Sequence, residues 1–524
     1  MSRPNVGLAI GIIEAQSDTL DRSDARLEAL GYRPEFRREM NLFAVVGMSF
    51  TAIGILTGMS SAFQTGLFAG GPLGLFWGWN ICALFMFLVA LCLAEICSAY
   101  PTMGGLYYWV SKMKSDKPVL GYVTGVLYAC AMIFTGTSGN LSTALYIASM
   151  AEVGTGITLT RVQITAMAWG VNLLSAIINT LGSRGIGTVA QVNVWWTLVG
   201  TVILVVTLLV KSPVKNSAAF VFTDLENFTG WGNNGFVVLL GFLQAVYTLE
   251  GAETSAQVAE EARNAEWLAP IGIAASIVGS WFIGLIYLLA LLFSIQSIPS
   301  VQNTSFAIPI AQLYYDAVGS RLALLCLFVV GSCQFLAACT CFTASSRLLY
   351  ALARDNAIPC KKAFTTLNRF QAPWVGVWLS ATIAIIISAA YIGSVVAFNA
   401  ILSSAAISVM LSYLQPILCR VLWPESMKVK GPFHLGKYSR AINIISALFT
   451  VFVCVLVSPI LATPSLFNII SVYTTHFDAR QCSKHELFHT RHWSRARLDF
   501  GQLGVLWALS FQRSSQHRGH AAAD

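Results

Sequence analysis

Apolar runs of about 20 residues, each long enough to cross a ~30 Å hydrocarbon layer as a helix, follow one another along this chain almost without pause. Eleven stand out: roughly 42–68, 73–98, 119–149, 162–182, 186–210, 235–258, 271–295, 320–345, 374–394, 396–419 and 441–461. The pattern predicts an all-α polytopic membrane protein. It divides the chain into an N-terminal segment (1–41), a transmembrane domain (42–461) and a tail (462–524).

Composition agrees and excludes a soluble fold. Of 524 residues, 56% are hydrophobic and 11% charged, against about 25% charge in soluble domains. The net charge of +8 would suggest nucleic acid or anionic lipid in a soluble chain, but its placement gives another reading. With the N-terminus inside, loops on that side hold 21 Lys and Arg and loops on the other side four. Cytoplasmic loops carry this excess, so the charge marks sidedness and nucleic acid is not needed to explain it. Two glycosylation-type sequons, at Asn227 and Asn303, fall in loops assigned outside; a third, at Asn140, lies within a span.

The N-terminal segment, with mixed charge and few aromatics, reads as disordered. Its apolar stretch Val6 to Ile13 is followed by Glu14, Asp18 and Asp21 where a cleavage site would lie, against a signal peptide. The twelve cysteines fall mostly in apolar runs without regular spacing and read as small core residues. The tail holds six of the seven histidines and seven Lys or Arg; their spacing matches no tetrahedral metal motif, and a shifted reading frame or an unspliced stretch explains the change of character better.

No enzyme constellation is present. The first 433 residues contain no histidine, which removes His-based acid–base chemistry and H-E-x-x-H metal sites from the membrane body. Nothing calls for a cofactor or a metal. What remains are helix-breaking and polar residues inside spans, costly enough there to mark a pathway. In span 1, Gly54 and Gly58 stand among Ser49, Thr51, Thr57 and Ser60. They can break the helix at mid-membrane, although taken alone they read better as a G-x-x-x-G packing motif. In span 6, Glu250 and Glu253 flank Gly251. A charged carboxylate costs about 2.5–3.5 kcal/mol at the bilayer centre, so both face a polar interior, carry a proton or sit near an interface; the other reading ends span 6 at Glu250 and leaves a solvated acidic loop. Spans 1 and 6 are corresponding members of two five-helix halves, and paired breaks of this kind point to a transporter's midplane site.

The run Leu93-Ala-Glu-Ile-Cys-Ser-Ala-Tyr-Pro-Thr-Met-Gly-Gly-Leu-Tyr-Tyr-Trp109 resembles the stretch linking the second and third helices of amino acid/choline transporters of the amino acid, polyamine and organocation (APC) superfamily. Similar matches are Gly31–Glu39, Gly70-Gly-Pro72, Val194-Trp-Trp196, Ala259–Asn264, Ser345–Asp355 and Gly431–Gly436, so the resemblance covers about residues 31–460 and has the style of fungal GABA, amino-acid and choline permeases. It implies an inverted repeat of five plus five helices, with helices 1 and 6 broken around a small-molecule substrate, and a twelfth helix that this chain lacks. By position it implies that Thr57, Gly58, Gly251 and Ala252 offer backbone groups to the substrate, that Tyr247 closes over it, and that Glu253 is the acidic coupling residue. Thr135, Thr137, Cys341 and Ser403 would wall the pocket. Glu250 stands where the family has a neutral residue and would attract a cation or amine.

The resulting expectation is a secondary active permease, not an enzyme, in the plasma or vacuolar membrane, moving an amino acid or a GABA-like amine by alternating access with a proton as coupling ion. Two readings stay open beside it: a choline or polyamine permease, favoured by Glu250, and a non-transporting sensor or inactive product, favoured by the lost final helix.

Overall fold

The computed structural model describes residues 23–30, 33, 38 and 40–456. The tail, and the end of the expected eleventh span, lie outside the described residues. All eleven expected runs are helices long and apolar enough to cross a membrane: span 1 Leu42–Phe68, span 2 Gly71–Ala99, span 3 Pro118–Thr155, span 4 Arg161–Asn179, span 5 Gly185–Lys211, span 6 Asn234–Gln257, span 7 Ala265–Ser294, span 8 Ile310–Arg354, span 9 Trp374–Gly393, span 10 Val396–Leu422 and span 11 Gly436–Leu456. Among the described residues β-structure is limited to two isolated bridges. This is what lipid requires, since a helix satisfies its own backbone hydrogen bonds where no water can.

The largest departure from the expected boundaries is span 8, which continues through Arg347 to Arg354. Hydropathy stops at the first charge, but the helical ladder continues because both arginines find buried acids. The two five-span halves correspond at their first and third members. The first of each, spans 1 and 6, is interrupted at a glycine with positive φ, and the third of each, spans 3 and 8, is the longest, with span 8 kinked at Gly319 (φ 75°).

Spans 3 and 8 pack against each other through small residues. A Cβ on Gly136 would come within 2.6 Å of the Phe342 ring, and one on Gly139 within 3.0 Å of Ala338. Such residues let helices approach where no hydrophobic effect drives them together. Polar side chains add specific links: Asn140 donates to Asn172 (2.8 Å) and accepts from Ser175 (3.0 Å), while Thr343 of span 8 donates to Asn179 of span 4 (2.6 Å). The eleven described cysteines are free thiols.

Part of the N-terminal segment is ordered, against the expectation for it. Residues 23–29 form a helix, with Leu27 buried and the Arg26 guanidinium donating to the Ala99 carbonyl at the end of span 2 (3.1 Å). Sequence could not reveal this order, because Arg26 and Arg38 reach partners 73 to 224 positions away.

Close packing makes spans 2 and 7 sensitive to one methyl group. A Cβ on Gly284 would lie 2.3 Å from the Trp79 ring, whereas one on Gly170 meets nothing within 4 Å. Gly284→Ala is expected to cost ~1–3 kcal/mol through overpacking, seen as a lower melting temperature of the detergent-purified protein, and Gly170→Ala to leave that temperature unchanged or slightly higher.

Candidate functional site

The two broken spans meet at mid-bundle. In span 1 the chain leaves the helix at Gly54, in the left-handed region (φ 59°, ψ 59°), between the half-helices Leu42–Ile53 and Ile55–Phe68. In span 6 it leaves at Glu250, which is extended (φ −80°, ψ 159°), and turns at Gly251 (φ 103°) before the short helix Thr254–Gln257. A side chain at Gly251 is excluded twice, by φ and by the Ala52 backbone 3.1 Å from where a Cβ would stand.

The break in span 1 falls at Gly54 alone. Gly58, also expected to break the helix, sits inside the second half-helix; its N–H donates to the Gly54 carbonyl (2.7 Å), and a Cβ there would lie 3.0 Å from the Thr248 Cα. The two glycines thus divide the two readings of the motif: Gly54 supplies the break and Gly58 the close approach of spans 1 and 6.

Between the breaks lies a cavity of about 30 Å³, lined by Thr57, Gly58, Thr135, Tyr247, Glu250 and Cys341 among others. These come from spans 1, 3, 6 and 8, which sequence position alone could not bring together. The lining also includes Gln334 and the small residues Ala52, Gly139, Ala337 and Ala338; small side chains carry no polar signal, and Gln334 is a single amide in a long apolar run. Thr137 is buried but donates to the Ile133 carbonyl (2.6 Å), and neither Thr137 nor Ser403 lines the cavity. The volume suits about two waters, so anything the size of an amino acid requires it to widen.

The two carboxylates of span 6 have opposite surroundings. Glu253 is fully buried and accepts from the hydroxyls of Tyr128 in span 3 (2.5 Å) and Tyr413 in span 10. The same Tyr413 oxygen accepts from the Gly251 N–H (2.9 Å), so one hydroxyl joins the break to the acid beyond it. Neither tyrosine was legible as functional, since each is one aromatic among many in an apolar helix. Glu250 is just as buried and lines the cavity, yet neither of its oxygens has a hydrogen-bond partner. A buried unpaired polar group is expensive, and this one faces the cavity.

Backbone groups at the breaks are partly committed. The Gly251 carbonyl accepts from Thr254 N–H (3.1 Å) and Oγ1 (2.7 Å), and the Ala252 carbonyl accepts from the Ser49 hydroxyl. Neither is free for a ligand in this conformation, contrary to what the resemblance implied. The N–H groups of Ile55, Leu56 and Thr57, at the start of a half-helix, have no intrahelical acceptor and form the positive end of a helix dipole. At the end of Phe242–Leu249 the last carbonyls form a negative end. The arrangement suits a small molecule whose anionic end meets the span 1 N–H groups and whose amine meets the span 6 carbonyls and Glu250. No Lys, Arg or His lines the cavity.

Hydrogen-bonded layers flank the cavity along both half-helix directions. Towards the far ends of these half-helices, Ser60 pairs with Tyr287 (2.7 Å), which pairs with Tyr314, and Gln64 and Gln302 exchange side chain to carbonyl bonds (3.3 and 3.4 Å). On the face that carries the N-terminal segment, Glu261 holds Arg347 (2.8 Å) and Glu260 holds Arg354 (3.2 Å) and the Met103 N–H (3.1 Å). The acidic stretch after span 6 is therefore buried rather than a solvated loop.

The model of the amino acid permease family matches residues 40–477. The chain is similar to the amino-acid permease BAT1 of Arabidopsis thaliana, 31% identical over 90% of this chain and 96% of that protein. It is also similar to the BAT1 homolog of Oryza sativa subsp. japonica, at 32% over 84% and 88%. The GABA-specific permease of Saccharomyces cerevisiae is 28% identical over 82% of this chain and 77% of that protein.

The contrast between the carboxylates yields a stability prediction. Glu250→Gln removes no protein hydrogen bond and is expected to leave the melting temperature of the purified protein unchanged or raised. Glu253→Gln weakens the acceptor of two hydroxyls and is expected to cost ~1–3 kcal/mol, read as a lower melting temperature with the protein still folded.

Proposed function

The chain belongs to the amino acid permease family, and on that premise we propose that it is a secondary active permease carrying an amino acid or a related small amine, GABA among them, by alternating access. The observation that carries this reading is the unpartnered, buried Glu250 carboxylate beside a small cavity at the paired helix breaks. An ammonium entering there supplies the missing partner, and a carboxylate at its other end finds the N–H groups of Ile55 to Thr57. With layers on both sides of a cavity too small for such a substrate, transport requires one layer to open while the other holds.

We place the N-terminus in the cytoplasm, on the support of the 21-to-four distribution of Lys and Arg and the positive-inside rule. The proton is our choice of coupling ion, with Glu253 as its carrier. Glu253 is fully buried next to the break and its two hydroxyl partners come from different spans, so a proton gained or lost there changes how spans 3, 6 and 10 are tied together. In the second reading the substrate is choline or a polyamine; it is favoured by Glu250 and by the absence of any Lys, Arg or His in the cavity lining.

Uptake of labelled GABA, neutral and basic amino acids, choline and spermidine into permease-deficient cells at two external pH values separates these readings. Saturable uptake of an amino acid that rises at acid pH is the expected outcome. Uptake that choline or spermidine alone saturates supports the second reading, and uptake indifferent to pH removes the proton. In the same assay Glu253→Gln is expected to abolish uptake or uncouple it from pH with normal surface expression; wild-type pH dependence in that variant would rule out Glu253 as the coupling group. Glu250→Gln is expected to weaken the affinity for cationic substrates more than for neutral ones.

A further inference from the structure

Arg38, two residues before the Met40 backbone joins the span 6–7 link, makes four hydrogen bonds through its guanidinium. Its guanidinium is 5% exposed. Nη1 donates to the carbonyls of Ala259 (3.2 Å) and Ala262 (2.8 Å), Nε to the Asp24 carboxylate (2.6 Å) and Nη2 to the Ser23 carbonyl (3.2 Å). Ala259 and Ala262 bracket the one-turn helix Ala259–Glu261 that follows span 6. Met40 is stitched to the same turn, its N–H donating to the Glu261 carbonyl (3.0 Å) and its carbonyl accepting from the Arg263 N–H (3.1 Å).

That turn has two sides. Its carbonyls hold Arg38 and Met40, and so the start of span 1. Its carboxylates, Glu260 and Glu261, hold Arg354 and Arg347 of span 8. Deeper in, Ser255 donates to the Val45 carbonyl (3.0 Å) and its N–H to the Ser49 hydroxyl (2.9 Å). The first set of bonds joins the N-terminal-face halves of spans 1 and 6 to each other; the carboxylate pairs join them to span 8. The short helix Thr254–Gln257 has one turn of its own, so its position depends on the turn that follows.

We propose that Arg38 is a positioning residue for transport: with Ser23, Asp24 and Met40 it fastens the cytoplasmic halves of spans 1 and 6 into one body, which the Glu260 and Glu261 pairs lock against span 8. The inference rests on the alternating-access reading above. Release to the cytoplasm then breaks the acid–arginine pairs and leaves the Arg38 bonds intact. Without Arg38 the Ala262 carbonyl and the Asp24 carboxylate lose the guanidinium donor and the Ala259 carbonyl keeps only the Ala262 N–H, so the turn loosens and its carboxylates no longer present both arginines with a fixed partner. Lysine is a poor substitute, because it offers a single point of donation where this site uses a planar fork.

Cys341 lines the cavity and is a native reporter of access. Full-length protein in right-side-out and inside-out vesicles is treated with a membrane-impermeant maleimide, and modification of Cys341 is followed by mass spectrometry. In the wild type, labelling from the cytoplasmic side is expected to be slow. Arg38→Gln is expected to raise it roughly tenfold without a matching rise from the outside, with a lower maximal uptake rate and little change in KM. Arg38→Lys is expected to resemble Arg38→Gln. A general loss of structure would raise labelling from both sides. If Arg38→Gln does not reach the membrane, Asp24→Asn, which removes only the counter-ion, is expected to give a smaller rise on the same side. Wild-type labelling and uptake in whichever of these variants reaches the membrane overturn the proposal. Equal labelling from both sides in the wild type, unmoved by substrate, would instead overturn alternating access itself.

Discussion

Inside a membrane every backbone N–H and C=O needs a partner within the protein, because neither lipid nor bulk water supplies one. Spans 1 and 6 violate the simplest solution, the unbroken helix, and the structure around them answers that violation. The Tyr413 hydroxyl takes the Gly251 N–H, Thr254 takes the Gly251 carbonyl and Ser49 takes the Ala252 carbonyl. Residues from spans 1 and 10 are thus committed to repairing a gap in span 6. What they leave uncommitted, at the end of one half-helix and the start of the other, is what a ligand can use.

The same principle separates the two carboxylates. Three positions apart on a short broken segment, they cannot occupy one environment: Glu253 turns toward spans 3 and 10 and collects two hydroxyls, while Glu250, on the extended residue itself, turns into the cavity and collects none. A satisfied buried acid serves to hold elements together, and its protonation alters that hold. An unsatisfied buried acid makes the cavity attractive to a positive charge. The difference between the two acids follows from hydrogen-bond supply, not from residue type.

Closure on the N-terminal face extends this logic from the site to the segment before span 1. Glu260 and Glu261 follow directly on the broken helix and hold span 8, while Arg38 holds the carbonyl side of the same turn. Removing one partner of a buried ion pair leaves the other charge unpaired, which costs more than the pair contributes when intact. Such contacts add less to stability than their number suggests.

Hydropathy is a local property, and for that reason the number of spans and the paired breaks were legible in the sequence: eleven runs became eleven helices, and Gly54 and Gly251 became positive-φ interruptions of spans 1 and 6. Glu250 could be picked out because an acid beside a glycine is conspicuous in an apolar span, and Tyr247 because the family resemblance pointed to it. Tyr128, Tyr413 and Gln334 could not, since their partners lie 125, 160 and 273 positions away. Nor could sequence decide between Gly54 and Gly58, a choice made by the contact of Gly58 with Thr248, or reveal that the Arg38 side chain is buried. Lipid selects helices one segment at a time, but hydrogen-bond partners for broken backbone and buried charge come from whichever spans packing brings near, and that only the tertiary structure decided.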